Sequence, residues 1–141
     1  MSIDLTGDIQ NVIDGSLERA GRAAAIGYHD QDGYPQVAYR GSTHVIAPNQ
    51  LALWVRNPAD GMATGVAANP KVTVSFFDPG GSPMLLSMRG NARVDASRND
   101  EVYAGIGGVE QGYDPEKNGV AIVIDVETVR GFGAEGPISQ G

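Results

Sequence analysis

The sequence predicts a mainly β fold: a closed or nearly closed barrel of six or seven mostly antiparallel strands with two or three short helices. Glycine and proline account for 20 and 8 of the 141 residues, which indicates many turns and short strands. Extended apolar runs alternate with turn residues, and several neighbouring runs are spaced as hairpins. A barrel is favoured over an open sheet because closure removes exposed edge strands.

Composition limits the possible functions. The length predicts a single domain over residues 1–141. The chain has no cysteine, which excludes a disulfide framework, a cysteine-ligated zinc site and a thiol nucleophile. The net charge of −7 disfavours nucleic-acid binding, and no apolar run approaches the ~20 residues of a membrane span. Because no signal-peptide pattern opens the chain, we expect a cytoplasmic protein with neither a nucleic-acid nor a membrane partner.

The first predicted element is an amphipathic helix over about residues 8–20. Apolar residues recur there at helical spacing, and Thr6 or Asp8 is available to cap its start. Gly15 weakens this helix, because an interior glycine costs about 1 kcal/mol relative to alanine.

The strands are predicted from extended apolar runs that turn residues separate. Residues 30–33 and Pro48-Asn49 each lie between two such runs, and each predicts a hairpin. Gly90 lies inside a long run, where we expect a bulge or a bend of the barrel. The predicted strands are residues 23–29, 35–40, 43–47, 51–56, 71–77, 84–94 and 120–126.

Asparagine and proline mark the start and the end of a second helix. Asn57 is a preferred N-cap residue and Pro58 fits the first helical position. Asn69-Pro70 then ends the helix near Ala68. Its interior residues are almost all small, which favours tight packing on the sheet and would also permit close approach of a ligand.

The last third of the chain is less regular. Ser97 or Asn99 is expected to cap a short helix that ends near Ala104. Residues 105–119 are predicted to be a glycine-containing loop, of a length often found in functional or disordered loops. The tail over about residues 130–141 is rich in glycine.

Side chains suited to catalysis are scarce. The two histidines, His29 and His44, lack the spacing of metal ligands, and we predict no metal site. Tyr39, His44 and Tyr103 are possible proton donors, but each is more typical of a packed or rim residue. No catalytic residue is assigned.

The most informative local feature is an arginine directly before a predicted helix start. Arg56 ends a strand, and the unpaired backbone N–H groups of the following helix favour an anion. Arg40, at the end of the neighbouring hairpin, could add a second cation. Asp60 opposes such a site, because a carboxylate in the first turn repels an anion. It would instead pair with Arg56 or satisfy the helix N-terminus.

Three segments, residues 34–43, 50–77 and 90–94, resemble the pyridoxamine 5′-phosphate oxidase-like family. These proteins are FMN-binding split β-barrels and include the flavin and deazaflavin oxidoreductases. The resemblance spans about residues 9–132, and its most specific element is a strand, a helix of small residues, Asn-Pro and a strand over residues 51–77. It implies a homodimer with two flavin sites, a small-molecule substrate, and FMN or 8-hydroxy-5-deazaflavin as cofactor.

The resemblance also implies which residues bind the cofactor. They belong to two adjacent strands and to the start of the following helix. Where many family members have a Ser-Arg-Lys-like basic cluster, this chain has Asp60-Gly61-Met62, so one or two phosphate contacts are missing. Either two arginines suffice, or the ligand differs, or the site is degenerate. The implied cofactor-binding residues are Arg40, Ser42, Thr43, Trp54, Val55, Arg56, Asn57, Met62, Ala63 and Thr64.

Three functions remain open at this stage. The first is a flavin- or deazaflavin-dependent oxidoreductase, in which the cofactor carries the redox chemistry and the protein supplies binding and orientation. The second is a non-catalytic protein that binds or stores a flavin, haem or another planar ligand on the same fold. The third is an unrelated small barrel for protein or oligonucleotide contacts, which the acidic charge disfavours. True pyridoxamine-phosphate oxidase activity is disfavoured because Arg130 is the only basic residue after Lys117.

Overall fold

In the computed structural model, which describes residues 2–81 and 83–141, eight strands form one antiparallel sheet. Met1, which the single-domain prediction includes, lies outside the described residues. Seven of the eight strands match predicted ones. The strands are β1 (Ala24–His29), β2 (Pro35–Arg40), β3 (His44–Ala47), β4 (Gln50–Val55), β5 (Lys71–Asp78), β6 (Met84–Val94), β7 (Val120–Gly133) and β8 (Gly136–Gln140).

Five short helices connect or flank these strands in the described part of the chain. A single 3-10 turn, Ala96–Arg98, precedes the fourth of them. The helices are α1 (Asp8–Ile13), α2 (Ser16–Ala20), α3 (Gly61–Ala68), α4 (Asn99–Ala104) and α5 (Gly108–Tyr113).

The sheet curls into a split β-barrel. Its strands are hydrogen-bonded in the order β2-β1-β5-β6-β7-β4-β3, and β8 pairs with the end of β7. The two ends of this path are close in the chain, because β2 ends at Arg40 and β3 begins at His44. A three-residue connection therefore joins the two edges, and the sheet must curve until they approach each other.

Alternating residues of the strands fill the barrel interior. On β4, Leu51, Leu53 and Val55 point into the main core, whereas Ala52 and Trp54 lie on the opposite face. Helix α4 covers that opposite face, so β4 is buried on both sides. The residues of β4 therefore alternate between the two faces, as the two-residue period of a strand requires.

The predicted N-terminal helix is interrupted. Gly15 takes a left-handed conformation with φ of 67°, which separates α1 from α2. The N-cap of α1 is Gly7, and neither Thr6 nor Asp8 caps it as predicted. Gly15 was expected only to weaken one continuous helix, but in the structure the helix is divided into two at this residue.

Helix α3 begins later than predicted. Asn57 and Pro58 belong to a turn in which the side chain of Asn57 accepts a hydrogen bond from the backbone N–H of Ala59, 3.0 Å away. Asp60 is the actual N-cap, and its carboxylate accepts from the N–H of Met62. Asn57 therefore caps a turn and not the helix. Helix α3 starts at Gly61 because the carboxylate of Asp60, which follows Asn57 in the chain, caps it.

The C-terminal third is more ordered than predicted. The expected loop over residues 105–119 contains α5, and the expected tail over residues 130–141 forms the end of β7 and all of β8. The fourth helix begins at Asn99, but its N-cap is Arg98, which makes no side-chain capping bond. The bulge predicted at Gly90 is confirmed, since the register of β6 on β7 shifts between Arg89 and Gly90.

Candidate functional site

A pocket of about 350 Å³ lies where β2 and β4 end and α3 begins. It brings together three of the predicted cofactor-binding residues: Arg40 at the end of β2, and Arg56 and Asn57 directly after β4. Strands β2 and β4 are far apart in the strand order of the sheet. We call it the arginine pocket. Its lining residues are Arg40, Arg56, Asn57, Asp60, Tyr113, Asp114 and Asn118.

Arg40 is paired with Asp60 inside this pocket. Its Nη2 lies 3.0 Å from Oδ1 of Asp60, and the two side chains are only 19% and 30% exposed. The Nε of Arg40 is buried without a hydrogen-bond partner among the described residues. Of the two alternatives raised for Asp60, pairing with Arg56 is wrong, and satisfaction of the helix N-terminus is confirmed.

The same carboxylate oxygen of Asp60 serves two donors. Besides Arg40 it accepts a hydrogen bond of 2.7 Å from the backbone N–H of Met62. The pKa of the nearby Tyr28 hydroxyl is raised, mainly by burial and secondly by the negative charge of Asp60. The positive charge of Arg40 opposes this shift only in part.

Arg56 is the exposed cation of the pocket. Its guanidinium lies over the ring of Tyr113, 5.1 Å from the ring centroid, a cation–π geometry. Asn57 beside it is also exposed. Arg56 thus keeps hydrogen-bond donors directed to solvent while the aromatic ring orients its side chain.

Asp114 forms the floor of the pocket and is only 6% exposed. Its carboxylate accepts hydrogen bonds from the indole N–H of Trp54 and from the backbone N–H groups of Asn118 and Gly119, at 2.8 to 2.9 Å. Burial by itself raises the pKa of this carboxyl, but the hydrogen bonds from Trp54, Asn118 and Gly119, with the charge of Arg56, outweigh it and lower the pKa below the ordinary value.

The connection between β2 and β3 is tied to β4 through Ser42. The Ser42 hydroxyl accepts from the backbone N–H of Trp54 at 2.9 Å, and Thr43 donates to the carbonyl of Arg40 at 2.8 Å. His44 is 5% exposed, and its Nδ1 lies 2.8 Å from the carbonyl of Ser42. These buried side chains hold the end of β2, and with it Arg40, in position.

The remaining predicted residues do not line the pocket. Val55, Met62 and Ala63 are buried in the barrel core, and Trp54 packs edge-on against Tyr103 on the opposite face of β4. Thr64 is half-buried, and its hydroxyl lies 3.3 Å from the carbonyl of Asp60. In a single chain these side chains support the pocket rather than line it.

Three lining residues were not predicted: Tyr113, Asp114 and Asn118. All lie in the segment 105–119 that the sequence predicts to be a loop. The one signal in the sequence is the length of that segment, since loops of this size are often functional. Nothing in the spacing of these residues indicates that they meet Arg56.

The outer face of the sheet carries several exposed apolar side chains. On β2, Val37 and Tyr39 are 68% and 77% exposed. Phe77, Leu85 and Phe132 lie opposite one another on β5, β6 and β7, and all are exposed. We call this surface the outer face. The neighbouring exposed side chains of Phe77, Leu85 and Phe132 form an apolar patch of the kind that marks an interaction site.

Comparison with known proteins identifies the fold class as the split β-barrel. No family model matches the chain, and no curated protein matches it significantly. Similar solved structures are those of pyridoxamine 5′-phosphate oxidase-like proteins and of an F420 reductase, as the sequence resemblance predicts.

Three of these structures illustrate the likeness. HupZ of Group A Streptococcus has a TM-score of 0.67 and 15% identity, over 94% of this chain and 95% of that one. A Clostridium acetobutylicum protein related to general stress protein 26 of B. subtilis, of the pyridoxinephosphate oxidase family, has a TM-score of 0.64 and 15% identity over 89% of each chain. The F420 reductase has a TM-score of 0.60 and 20% identity, over 77% of this chain and 88% of that one.

The pocket does not fit the phosphate of FMN. Arg40 and the N–H of Met62 at the start of α3 are groups that would bind it, and Asp60 already accepts a hydrogen bond from each of them. Arg56 and Asn57 remain available for a polar ligand group. In residues 2–81 and 83–141 no cluster of potential metal ligands is found, and no helix there is long and apolar enough to cross a bilayer.

Proposed function

We propose that this protein is a flavin- or deazaflavin-dependent oxidoreductase that acts on a small molecule. One observation carries the proposal: the split-barrel fold, which the chain shares over most of its length with an F420 reductase and a protein of the pyridoxinephosphate oxidase family. The convergence of Arg40, Arg56 and Asn57 in one pocket supports it, because the family resemblance assigns these residues to the cofactor. The cytoplasmic location stays a prediction from the sequence.

The scarcity of catalytic side chains is compatible with this function. A flavin or deazaflavin ring accepts and donates the hydride itself, so the protein need only bind and orient it. Arg56 and Asn57 offer donors and an acceptor to the polar tail of such a cofactor. Tyr39 is exposed on the outer face, whereas His44 is buried and Tyr103 is half-buried against Trp54.

The working unit in this proposal is a homodimer that forms through the outer face. Val37 and Tyr39 are paired with the small β1 residues Gly27 and Ala25, so no large neighbouring side chain on β1 covers them. A second copy of the chain would remove these apolar side chains from water, at about 25 cal/mol per Å². The cofactor ring would then be enclosed between the two barrels.

A second candidate is a non-catalytic protein that binds a flavin, haem or another planar ligand. It is favoured by the pairing of Arg40 with Asp60, which leaves one exposed arginine in the pocket. A cofactor held by fewer polar contacts is easier to release, as storage requires.

Turnover distinguishes the two candidates. The purified protein is loaded in separate samples with riboflavin, FMN and 8-hydroxy-5-deazaflavin, and reduction of the bound ring by NADPH is followed by absorbance. Reoxidation by an added quinone or nitroaromatic acceptor completes the assay. Catalytic reduction of the acceptor above the free-cofactor rate supports the oxidoreductase, whereas tight binding without turnover favours the storage protein.

A further inference from the structure

We propose that Asp60 is a specificity-determining residue that excludes phosphate monoesters from the arginine pocket. The ligand tail bound there is then neutral or singly charged, such as an unphosphorylated ribityl chain. This inference rests on the proposed flavin-type ligand, and it specifies which chemical form of that ligand the pocket accepts.

The first argument is that Asp60 already engages two of the groups that a phosphate would need. Oδ1 of Asp60 lies 3.0 Å from Nη2 of Arg40 and 2.7 Å from the backbone nitrogen of Met62. A phosphate would need the same guanidinium and the same helix N-terminal N–H. The carboxylate of the chain itself thus acts as an internal anion at this point.

The second argument is the charge balance of the pocket. Its lining contains two arginines, Arg40 and Arg56, and two carboxylates, Asp60 and Asp114. A phosphate monoester carries a charge of about −1.5 to −2 at pH 7, and would enter a site with no net positive charge. A neutral polyol avoids the repulsion and still finds donors on Arg56 and Asn57.

The third argument is that Asp60 is not free to move aside. It is the N-cap of α3, and its removal would leave the N–H of Met62 and the largely buried Arg40 without their acceptor. Leaving a buried charge unpaired is costly. A phosphate must therefore displace an interaction that the folded chain already uses, which lowers its apparent affinity.

The test measures riboflavin and FMN binding by fluorescence titration of the wild-type protein and of Asp60→Asn. Asparagine keeps an N-cap oxygen but removes the charge, so α3 is expected to persist. We expect the wild type to bind riboflavin at least as tightly as FMN. Loss of one like charge should raise the affinity for FMN relative to riboflavin about tenfold in Asp60→Asn.

Two further variants control for charge and for mechanism. Glu135→Gln removes one exposed carboxylate outside the arginine pocket and should leave the affinity ratio unchanged. In the double variant Asp60→Asn, Arg40→Gln the gain for FMN should disappear, because Arg40 is the cation that becomes available. An unchanged ratio in Asp60→Asn, or a wild type that binds FMN tenfold more tightly than riboflavin, would overturn the inference.

A phosphate titration separates this inference from the proposed function. If the wild type binds neither a flavin nor 8-hydroxy-5-deazaflavin, the proposed function fails, and inorganic phosphate becomes the probe. NMR shifts of the Met62 amide and the Arg40 side chain should respond to phosphate in Asp60→Asn but not in the wild type. An equal response in both proteins, or no response in either, would overturn the role assigned to Asp60.

Discussion

The indole N–H of Trp54 donates a 2.8 Å hydrogen bond to the carboxylate of Asp114, and so links β4 to the segment that follows α5. The same carboxylate accepts from the backbone N–H groups of Asn118 and Gly119. Asp114 therefore fixes the floor of the arginine pocket and the start of β7 at once. Its three donors account for a buried charge that would otherwise be unstable.

Replacement of this carboxylate should destabilise the fold. Asp114→Asn removes one acceptor oxygen and brings an amide N–H toward groups that already donate, at a cost of about 1–3 kcal/mol in the free energy of unfolding. Urea unfolding at pH 7 measures this. Glu116→Gln, an exposed carboxylate of the same segment, is the matched control and should change little.

The cost of Asp114→Asn should depend on pH. Because the folded pKa of Asp114 is lowered, its stabilisation is fully present above the unfolded pKa of about 4 and is lost as the pH falls through the folded value. The stability difference between wild type and Asp114→Asn should therefore shrink in unfolding measurements below about pH 4. A difference that stays constant down to pH 2 would contradict the hydrogen-bonded carboxylate.

Arg56→Ala should weaken cofactor binding without unfolding the barrel. Arg56 is exposed and contacts Tyr113, so its removal leaves the core intact but takes away the pocket's accessible cation. Loss of one charge-assisted contact should reduce affinity roughly tenfold. Arg93→Ala, which removes an arginine paired with Asp125 outside the pocket, is the control. Unchanged affinity in Arg56→Ala would move the site elsewhere.

A charge on the outer face should disrupt the proposed dimer. In Val37→Glu a carboxylate would be buried against its symmetry-related surface, which strongly disfavours association. Analytical ultracentrifugation should give a dimer for the wild type and a monomer for the variant. Val94→Glu places the same charge on an exposed valine at the end of β6, outside the outer face, and should remain dimeric. A monomeric wild type would refute the interface.

Gly65 should tolerate no side chain. A methyl group there would overlap the carbonyl oxygen of His29, so α3 could not keep its distance from β1. Gly65→Ala is expected to destabilise the protein by about 1–3 kcal/mol in thermal or urea unfolding. At Gly61, in the same helix, an added methyl would lie 3.7 Å from the Tyr28 hydroxyl, an ordinary contact, and Gly61→Ala should be close to neutral. Equal stability of the two variants would be evidence against the close packing of α3.

The sequence predicts seven of the strands because their apolar runs are long and bounded by turn residues. It misses α5 for a physical reason: Gly108 and Gly112 make the segment a poor helix, and a tertiary contact stabilises it. The carboxylate of Glu18 accepts a 2.8 Å hydrogen bond from the backbone N–H of Val109, although the two residues are far apart in the sequence. Such a contact has no local signature.

The candidate site was only partly predictable. Arg40, Arg56 and Asn57 were assigned from the resemblance and do lie together, whereas the partner of Asp60 depended on a distance between residues twenty positions apart. Sequence spacing places Asp60 nearer Arg56, but the curl of the barrel brings the end of β2 over the start of α3. Which arginine pairs with Asp60 can therefore be determined only from the three-dimensional fold.

Cofactor binding by the isolated protein tests the central proposal most directly. Riboflavin, FMN and 8-hydroxy-5-deazaflavin are titrated separately with purified wild-type protein, and ring fluorescence and absorbance are recorded. We expect at least one of the three to bind at micromolar concentration, with one equivalent per chain and a shifted ring spectrum. Binding of none of them at that concentration would contradict the assignment of this split barrel as a flavin or deazaflavin protein.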